Sequence, residues 1–215
     1  SKMDLEMGLR TDYVQAKSMR SKNAGETFVL PRFSALWKAH KSLSLRLGGG
    51  MGYRIPTLFN EEAEPYAYQA IRPIDYANVE AERSYGANID FKYRTDFGSP
   101  NFLFTLNQMF FYNQIDQPIL LTPDGSGFYD FQNSSGILST NGFESQMKFT
   151  FWKFTWFVGY TYTNAFLSNG ALNSELILVP KHSIKGDLLF VEENKWRIGW
   201  DYEFKSAQLL SSGLR

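Results

Sequence analysis

Hydrophobic and polar side chains alternate one by one along much of the chain. From Trp196 to Lys205, every second residue is apolar or aromatic, and the residues between are charged or glycine. Residues 79–94 repeat the alternation, with Arg83 as the one exception on the apolar side. A period of two indicates a β-strand with two different faces, and the second segment is far longer than the roughly 5–6 residues usual in soluble sheets. The pattern predicts long, two-faced strands.

Shorter alternating segments occupy much of the remaining sequence. Apolar side chains take every second position around residues 3–9, 33–37, 43–47, 143–151 and 154–162. Two further strands are less regular, since residues 102–112 are apolar on both sides and residues 182–191 alternate only loosely. With the two long segments this makes nine predicted strands and an all-β, antiparallel fold.

The predicted connections alternate between short and long. The short ones are residues 39–41, 97–100, 152–153 and 192–195, and the long ones are residues 11–27, 50–78, 113–136 and 164–181. Tight turns at one rim and long loops at the other are typical of a transmembrane β-barrel of the bacterial outer membrane, with the turns in the periplasm and the loops outside the cell.

Composition supports a barrel and excludes other classes. Nineteen Phe, twelve Tyr and five Trp make up 17% of the 215 residues, yet the mean hydropathy is -0.32, so the aromatic residues are interspersed with polar ones. No stretch approaches the roughly 18 consecutive apolar residues of a membrane helix. Twenty-two basic residues balance twenty-two acidic ones, which disfavours nucleic-acid binding, and the absence of cysteine excludes thiolate catalysis and Cys-ligated zinc.

Residues 43–59 carry a family resemblance. An alternating strand runs into glycines and then into Tyr53, Arg54, Pro56, Thr57, Leu58 and Phe59. This resembles the pattern of TonB-dependent receptors, in which a strand is followed by an aromatic residue, Arg, any residue, Pro, Thr or Asn, Leu and Phe. Residues 79–94 look like the family strand that begins with a glutamate and ends in an aromatic residue. Residues 140–144 are similar to the family's Gly-x-Glu strand start.

The resemblance implies an active importer of the bacterial outer membrane rather than an enzyme. In such a receptor a siderophore, a cobalamin-like ligand or an oligosaccharide binds at the extracellular mouth, and energy coupled through the TonB complex rearranges a plug domain. Barrels of plugged transporters have about 22 strands. Residues 1–215 are therefore expected to be part of the barrel domain, with the plug domain and the last strands absent from the sequence. Outer-membrane lipid, the plug and TonB are the expected partners, a surface lipoprotein is a further candidate, and no cofactor is expected.

The loop of residues 50–78 is expected to be the main ligand contributor, because it is the longest connection and is rich in aromatic residues. A second aromatic group lies in residues 113–136. The candidate ligand-binding residues are Tyr53, Arg54, Phe59, Tyr66, Tyr68, Tyr76, Phe128 and Tyr129. For Arg54, bonding to carbonyl groups at the loop base is an equally ordinary role.

Charged residues on the polar face are expected to line the lumen and to contact the plug or water. They are Arg46, Glu80, Glu82, Asp90, Glu144, Arg197, Asp201 and Glu203. A catalytic interpretation of these carboxylates is disfavoured because both signs occur together, and the distant His40 and His182 make a poor metal site. The glycines at positions 48–50 and 52 are expected to permit a bend or a close backbone approach rather than to cradle a phosphate.

Three other classes remain open at this stage. A passive porin-type barrel would show the same strand pattern without a plug. A soluble β-rich binding protein and a barrel-embedded hydrolase are weaker alternatives. A plug domain encoded upstream would separate the importer from the porin.

Overall fold

The structure, a computed structural model, describes residues 2–16, 24–57, 70–99, 101–169, 172–177 and 179–209. These residues form twelve strands in chain order: β1 (Lys2–Ala16), β2 (Ala24–His40), β3 (Leu43–Arg54), β4 (Glu82–Thr95), β5 (Phe102–Asp116), β6 (Ile119–Pro123), β7 (Tyr129–Asn133), β8 (Ile137–Phe151), β9 (Phe154–Asn169), β10 (Leu172–Glu175), β11 (His182–Glu192) and β12 (Trp196–Lys205). Within these ranges, no helix is long and apolar enough to cross a membrane.

Nine of the strands follow one another in a single antiparallel sheet. Its order is β1-β2-β3-β4-β5-β8-β9-β11-β12, with β10 paired to β9, while β6 and β7 form a separate hairpin. The nine predicted strands and the all-β, antiparallel class are thus confirmed. In the described residues β1 and β12 are not paired with each other, so the sheet is open, as expected for part of a larger barrel.

The strand register places the apolar residues of successive strands on one face. Leu45 stands opposite Trp37 of β2 and Phe91 of β4. At the other end of the sheet Leu188 stands between Trp156 and Trp200. These side chains lie on the outside of the sheet, where Trp200 is 65% exposed. A continuous band of apolar side chains facing outward is the surface that a bilayer covers.

The opposite face carries polar residues and several glycines. Gly142 of β8 permits an especially close approach, because an added Cβ atom would lie 2.0 Å from the backbone oxygen of Tyr162. At Gly49, which stands opposite Phe33 on the apolar face, the same atom would lie 3.1 Å from the backbone oxygen of Gly86. The second contact agrees with the expected close backbone approach in the glycine run of β3.

The strands extend further toward the loops than the alternation predicts. β1 and β2 continue through most of residues 11–27, and residues 113–136 contain the end of β5 and the β6–β7 hairpin. Residues 164–181 likewise include the end of β9 and β10. Beyond the membrane neither face of a strand meets lipid, so pairing continues while the apolar alternation ends. In the opposite sense, β4 begins only at Glu82, and Val79 and Glu80 lie outside it.

The connections sort by length as predicted. Short turns at residues 41–42, 152–153 and 193–195 lie at one end of the sheet, here the turn end. The other end is the loop end. Trp152 has a φ of 53° and Phe97 a φ of 50°, left-handed values that a tight connection imposes on non-glycine residues.

Candidate functional site

Two loops at the loop end pack together around one hydrophobic core. We call residues 70–81 and 117–136 the cap. Its core is formed by Ile71, Ile74, Val79, Ile119 and Phe131, with Tyr76 and Leu121 packed against it. Ile119 is only 1% exposed. The connection between β3 and β4 and the connection between β5 and β8 therefore share one interior.

The β6–β7 hairpin is closed by the sequence Asp124-Gly125-Ser126-Gly127. Gly125 and Gly127 have φ values of 79° and 90°, which favour glycine. The Asp124 carboxylate accepts hydrogen bonds from the Ser126 amide at 2.8 Å and the Phe128 amide at 3.2 Å. Bonds from the Ser126 hydroxyl and amide, then the Phe128 amide and the charge of Arg72, lower the pKa of Asp124 to about 2.

Arg72 connects the two halves of the cap. Its backbone amide donates to the carbonyl of Tyr129 at 2.9 Å, beside a bridge between Ile71 and Tyr129. Its guanidinium pairs with Asp124, donates to Ser126 Oγ at 3.0 Å and lies 5.1 Å from the ring centre of Phe128. Phe128 remains 44% exposed, so its ring and the guanidinium of Arg72 lie beside each other on the surface of the cap.

A buried carboxylate joins the cap to the sheet. Glu82, at the start of β4, is 2% exposed. It accepts hydrogen bonds from Arg54 Nε at 2.5 Å and Arg54 Nη2 at 2.9 Å, and from the backbone amide of Ile119 at 2.7 Å. A bidentate arginine and a backbone donor satisfy the charge that burial would otherwise penalise. The Glu82 side chain therefore fixes β6 against the ends of β3 and β4.

Asn133 connects the two halves of the cap at its base. Its Oδ1 accepts from the Glu80 amide at 2.8 Å, and its Nδ2 donates to the carbonyls of Glu80 and Gln117, each at 3.0 Å. The Glu80 backbone is thereby held within the cap. Glu80 precedes β4 rather than lying within it, and its predicted contact with the plug or lumen stays a prediction.

A separate aromatic contact joins the tips of two hairpins. The Tyr53 hydroxyl donates to Asp12 at 3.0 Å, and its ring stacks on Phe28 with centres 3.8 Å apart. Arg83 lies 5.9 Å from the Phe28 ring centre and pairs with Glu26 at 2.9 Å. Phe28 is on the polar face of β2, whereas Tyr53 is on the apolar face of β3, by the unbroken registers of their hairpins. The β3–β4 tip therefore lies on the lumen side of the β1–β2 tip.

The structure brings part of the predicted ligand set together. Phe128 and Tyr129 lie in the cap, and Tyr76 packs on its core while its hydroxyl donates to the Pro56 carbonyl at 3.1 Å. Tyr53 and Arg54 contact Asp12 and Glu82 at the rim. Phe59, Tyr66 and Tyr68 lie outside the described residues. Arg72 belongs to the polar residues by which the loop of residues 50–78 was expected to capture a ligand. Sequence reasoning missed the role of Asp124, although the Asp-Gly-Ser-Gly turn was a signal for it.

The other predicted lumen residues lie on the polar face of the sheet. Arg46 stands opposite Asp90, and Asp201 stands opposite Asp187. Glu144 accepts a hydrogen bond from Gln146, Glu203 pairs with Lys205 at 3.0 Å, and Arg197 is exposed. The described residues contain no group of three or more His, Cys, Asp or Glu that could hold a metal. Their contact with a plug stays a prediction.

Comparison with known proteins gives one family. Residues 1–213 match the model of the family described as TonB dependent receptor-like, beta-barrel. A search of curated proteins by sequence found no match.

Several solved structures share the fold. The FrpB iron transporter from Neisseria meningitidis has a TM-score of 0.73 and 19% identity, covering 100% of this chain and 32% of that one. The Serratia marcescens hemophore receptor HasR was solved as a double mutant in complex with its hemophore HasA and heme. It has a TM-score of 0.64 and 13% identity, covering 95% of this chain and 39% of that one. The siderophore receptor PirA from Acinetobacter baumannii has a TM-score of 0.64 and 13% identity, covering 93% of this chain and 31% of that one. The chain thus spans about a third of the length of these proteins.

Proposed function

The chain belongs to the TonB-dependent receptor β-barrel family, and we propose that it forms part of the wall and mouth of a receptor that imports a scarce nutrient. The family match over residues 1–213 carries the proposal. Members of this family are transporters of the Gram-negative outer membrane and not enzymes. The match favours an active importer over a passive porin.

An iron-bearing ligand is the nutrient class that the neighbours support best. The similar structures are of an iron transporter, a siderophore receptor and a hemophore receptor with heme. We therefore place a ferric siderophore or haem ahead of a cobalamin-like ligand or an oligosaccharide. The plug domain, the TonB complex and a surface lipoprotein are proposed partners, and residues 1–215 are proposed to be part of the barrel domain.

Within this chain, we assign ligand contact to the cap. Its Arg72 and Phe128 surface offers a guanidinium and an exposed ring beside each other. Ferric siderophores and haem both combine aromatic or conjugated groups with anionic oxygens, which such a surface can stack on and pair with. Because Glu82 holds the cap to the ends of β3 and β4, this surface keeps a defined position over the mouth.

Growth and binding measurements test the proposal on the intact receptor. A strain lacking the receptor is supplied with haem, ferric catecholates, ferric hydroxamates, cobalamin or an oligosaccharide as the limiting nutrient. We expect growth on one iron source to depend on the receptor. If receptor loss changes growth on none of these nutrients, or only on cobalamin or the oligosaccharide, the iron assignment is wrong.

The cap is tested with Phe128→Ala in the intact receptor. Loss of the ring is expected to weaken binding of the growth-supporting ligand about tenfold, equivalent to about 1.4 kcal/mol. The matched control is Phe97→Ala, which removes an even more exposed ring, at the turn end. Equal affinities for the two variants would place the ligand site elsewhere, on the plug or on other loops.

A further inference from the structure

A basic recess lies at the turn end of β1, β2, β3 and β4. It has a volume of about 570 Å³, and its charged or ionisable lining residues are Lys2, Lys38, His40, Lys41, Lys92 and Arg94. We call this set the basic rim. Lys2 stands opposite Lys38 and Lys92 stands opposite Ser44, all on the polar face. The recess therefore opens toward the lumen at the end that faces the periplasm in this family.

The charges of the basic rim are poorly compensated. Lys38 lies 3.5 Å from Asp4, but Lys2, Lys41, Lys92 and Arg94 make no ion pair within the described part of the chain. By contrast, Arg54, Arg72 and Arg83 at the loop end each contact a carboxylate. Like charges directly opposite each other across strands are unfavourable. Within the described residues only one of these five gathered cations lies at ion-pair distance from a carboxylate, so together they form a surface complementary to an anionic partner.

The shape of the recess favours an extended partner over a compact anion. Its cations come from the ends of four neighbouring strands, which spans about 14 Å at a strand spacing of about 4.8 Å. An extended peptide rises about 3.3 Å per residue, so four or five of its residues cover this distance. Ala39 adds an apolar contact beside the charges. Lysine, a flexible point charge, suits carboxylates along a peptide better than it suits one phosphate held bidentately.

The β2–β3 turn makes part of the basic rim accessible from outside the barrel. Lys41 is at the turn itself, and the Ser42 amide donates to His40 Nδ1 at 3.2 Å. The Arg94 amide donates to the Ser42 carbonyl at 2.9 Å, which holds this turn against β4. We propose that the basic rim docks an extended acidic segment of a periplasmic partner protein. The proposal rests on the proposed function only for which end of the barrel faces the periplasm.

The test uses the intact receptor in a neutral detergent and a fluorescent ten-residue peptide of alternating Glu and Ala. We expect the peptide to bind, and its affinity to fall as salt rises, because the contacts are between charges. The double variant Lys92→Gln with Arg94→Gln is expected to bind about tenfold more weakly, with a flatter salt dependence. Heat-modifiable migration checks that the barrel is folded.

A matched control removes the same charge from the same end. The double variant Lys153→Gln with Lys195→Gln loses two lysines that both contact Glu192, and it should bind the acidic peptide as the natural receptor does. Charge reversal by Lys92→Glu with Arg94→Glu should abolish acidic-peptide binding and produce binding of a Lys and Ala peptide.

Three results would overturn the inference. The first is that the natural receptor fails to bind the acidic peptide, as it would if its own polypeptide already occupied the basic rim. The second is that inorganic phosphate, at equal charge concentration, displaces the labelled peptide as effectively as unlabelled peptide does, which would indicate a small-anion site. The third is that the two double Gln variants bind the acidic peptide with equal affinity. Nutrient uptake is measured in parallel, so a failure of peptide binding with uptake intact refutes this inference alone.

Discussion

The cap and the transmembrane wall bury apolar side chains in opposite directions. In the cap, Ile119 and Phe131 point inward and are almost completely covered by protein. In the wall, Trp200 and Met7 point outward and are widely exposed until lipid covers them. The apolar side chains of this chain are therefore removed from water in two ways. Those of the cap are buried in a protein core, and those of the wall are covered by lipid.

Charges follow the same division. The carboxylates of the cap and of its base are satisfied within the protein, Glu82 by Arg54 and Asp124 by Arg72 and backbone amides. In the wall, charged residues lie on the lumen face, where water or another part of the receptor can contact them. A substitution should therefore have its effect according to the region and the face on which it lies.

The largest expected effect is a loss of cap structure in Ile119→Ala. Removing most of a fully buried side chain leaves a cavity and should cost about 2–5 kcal/mol, enough to open a core this small. Hydrogen exchange of the β6–β7 amides measures the effect, with Ile198→Ala on the lipid face as the matched control. Unchanged protection of β6 and β7 in Ile119→Ala would mean that the cap does not depend on its core.

The wall is tested by a charge on either face of β12. Trp200→Arg should destabilise the barrel by about 2–4 kcal/mol, because it places a cation against the hydrocarbon near the bilayer midplane. Asp201→Arg, one residue along on the lumen face, should cost much less. Folding titrations of the two intact receptors in bilayers measure both values. Similar losses would contradict the assignment of the two faces.

The junction between cap and wall should respond to Glu82→Gln with an intermediate effect. The amide preserves shape and can still accept from Ile119, but it loses the charge that Arg54 contacts. We expect a loss of about 1–3 kcal/mol of cap stability, measured by hydrogen exchange at Ile119. The control is Glu203→Gln, whose partner Lys205 is exposed. Equal protection in both variants would show that Glu82 does not hold the cap.

The wall was predictable from sequence because its signal is local. The alternation from Trp196 to Lys205 defines the two faces of β12 within ten consecutive residues, and the nine strands of the main sheet pair in chain order. The cap was not predictable, because residues 113–136 show no alternation and its contacts join distant positions. The alternation places Glu82 correctly on the polar face, but its burial depends on Ile119, which reaches it through another loop. Local periodicity cannot report such a contact.

The smallest expected effect is a pH dependence in the cap. The pKa of Asp124 is lowered to about 2 from the ordinary 3.8. The ionised carboxylate therefore stabilises the folded cap fully at pH values above 3.8. That contribution should persist at pH 5, decline below pH 3.8 and be lost as the pH falls through about 2. In Asp124→Asn the contribution is absent, so the cap should be less stable at neutral pH and should lose this acid transition.

Hydrogen exchange at the Phe128 amide, corrected for its intrinsic rate, follows this change because that amide donates to Asp124. Ile119 of the same cap serves as an internal control, since its amide donates to Glu82 instead. A fall in Phe128 protection between pH 5 and pH 4 would place the Asp124 titration in the ordinary range of an aspartate. The turn would then be held by its glycines and its core rather than by the carboxylate, and the charge pairing that distinguishes the cap from the wall would not contribute to its stability.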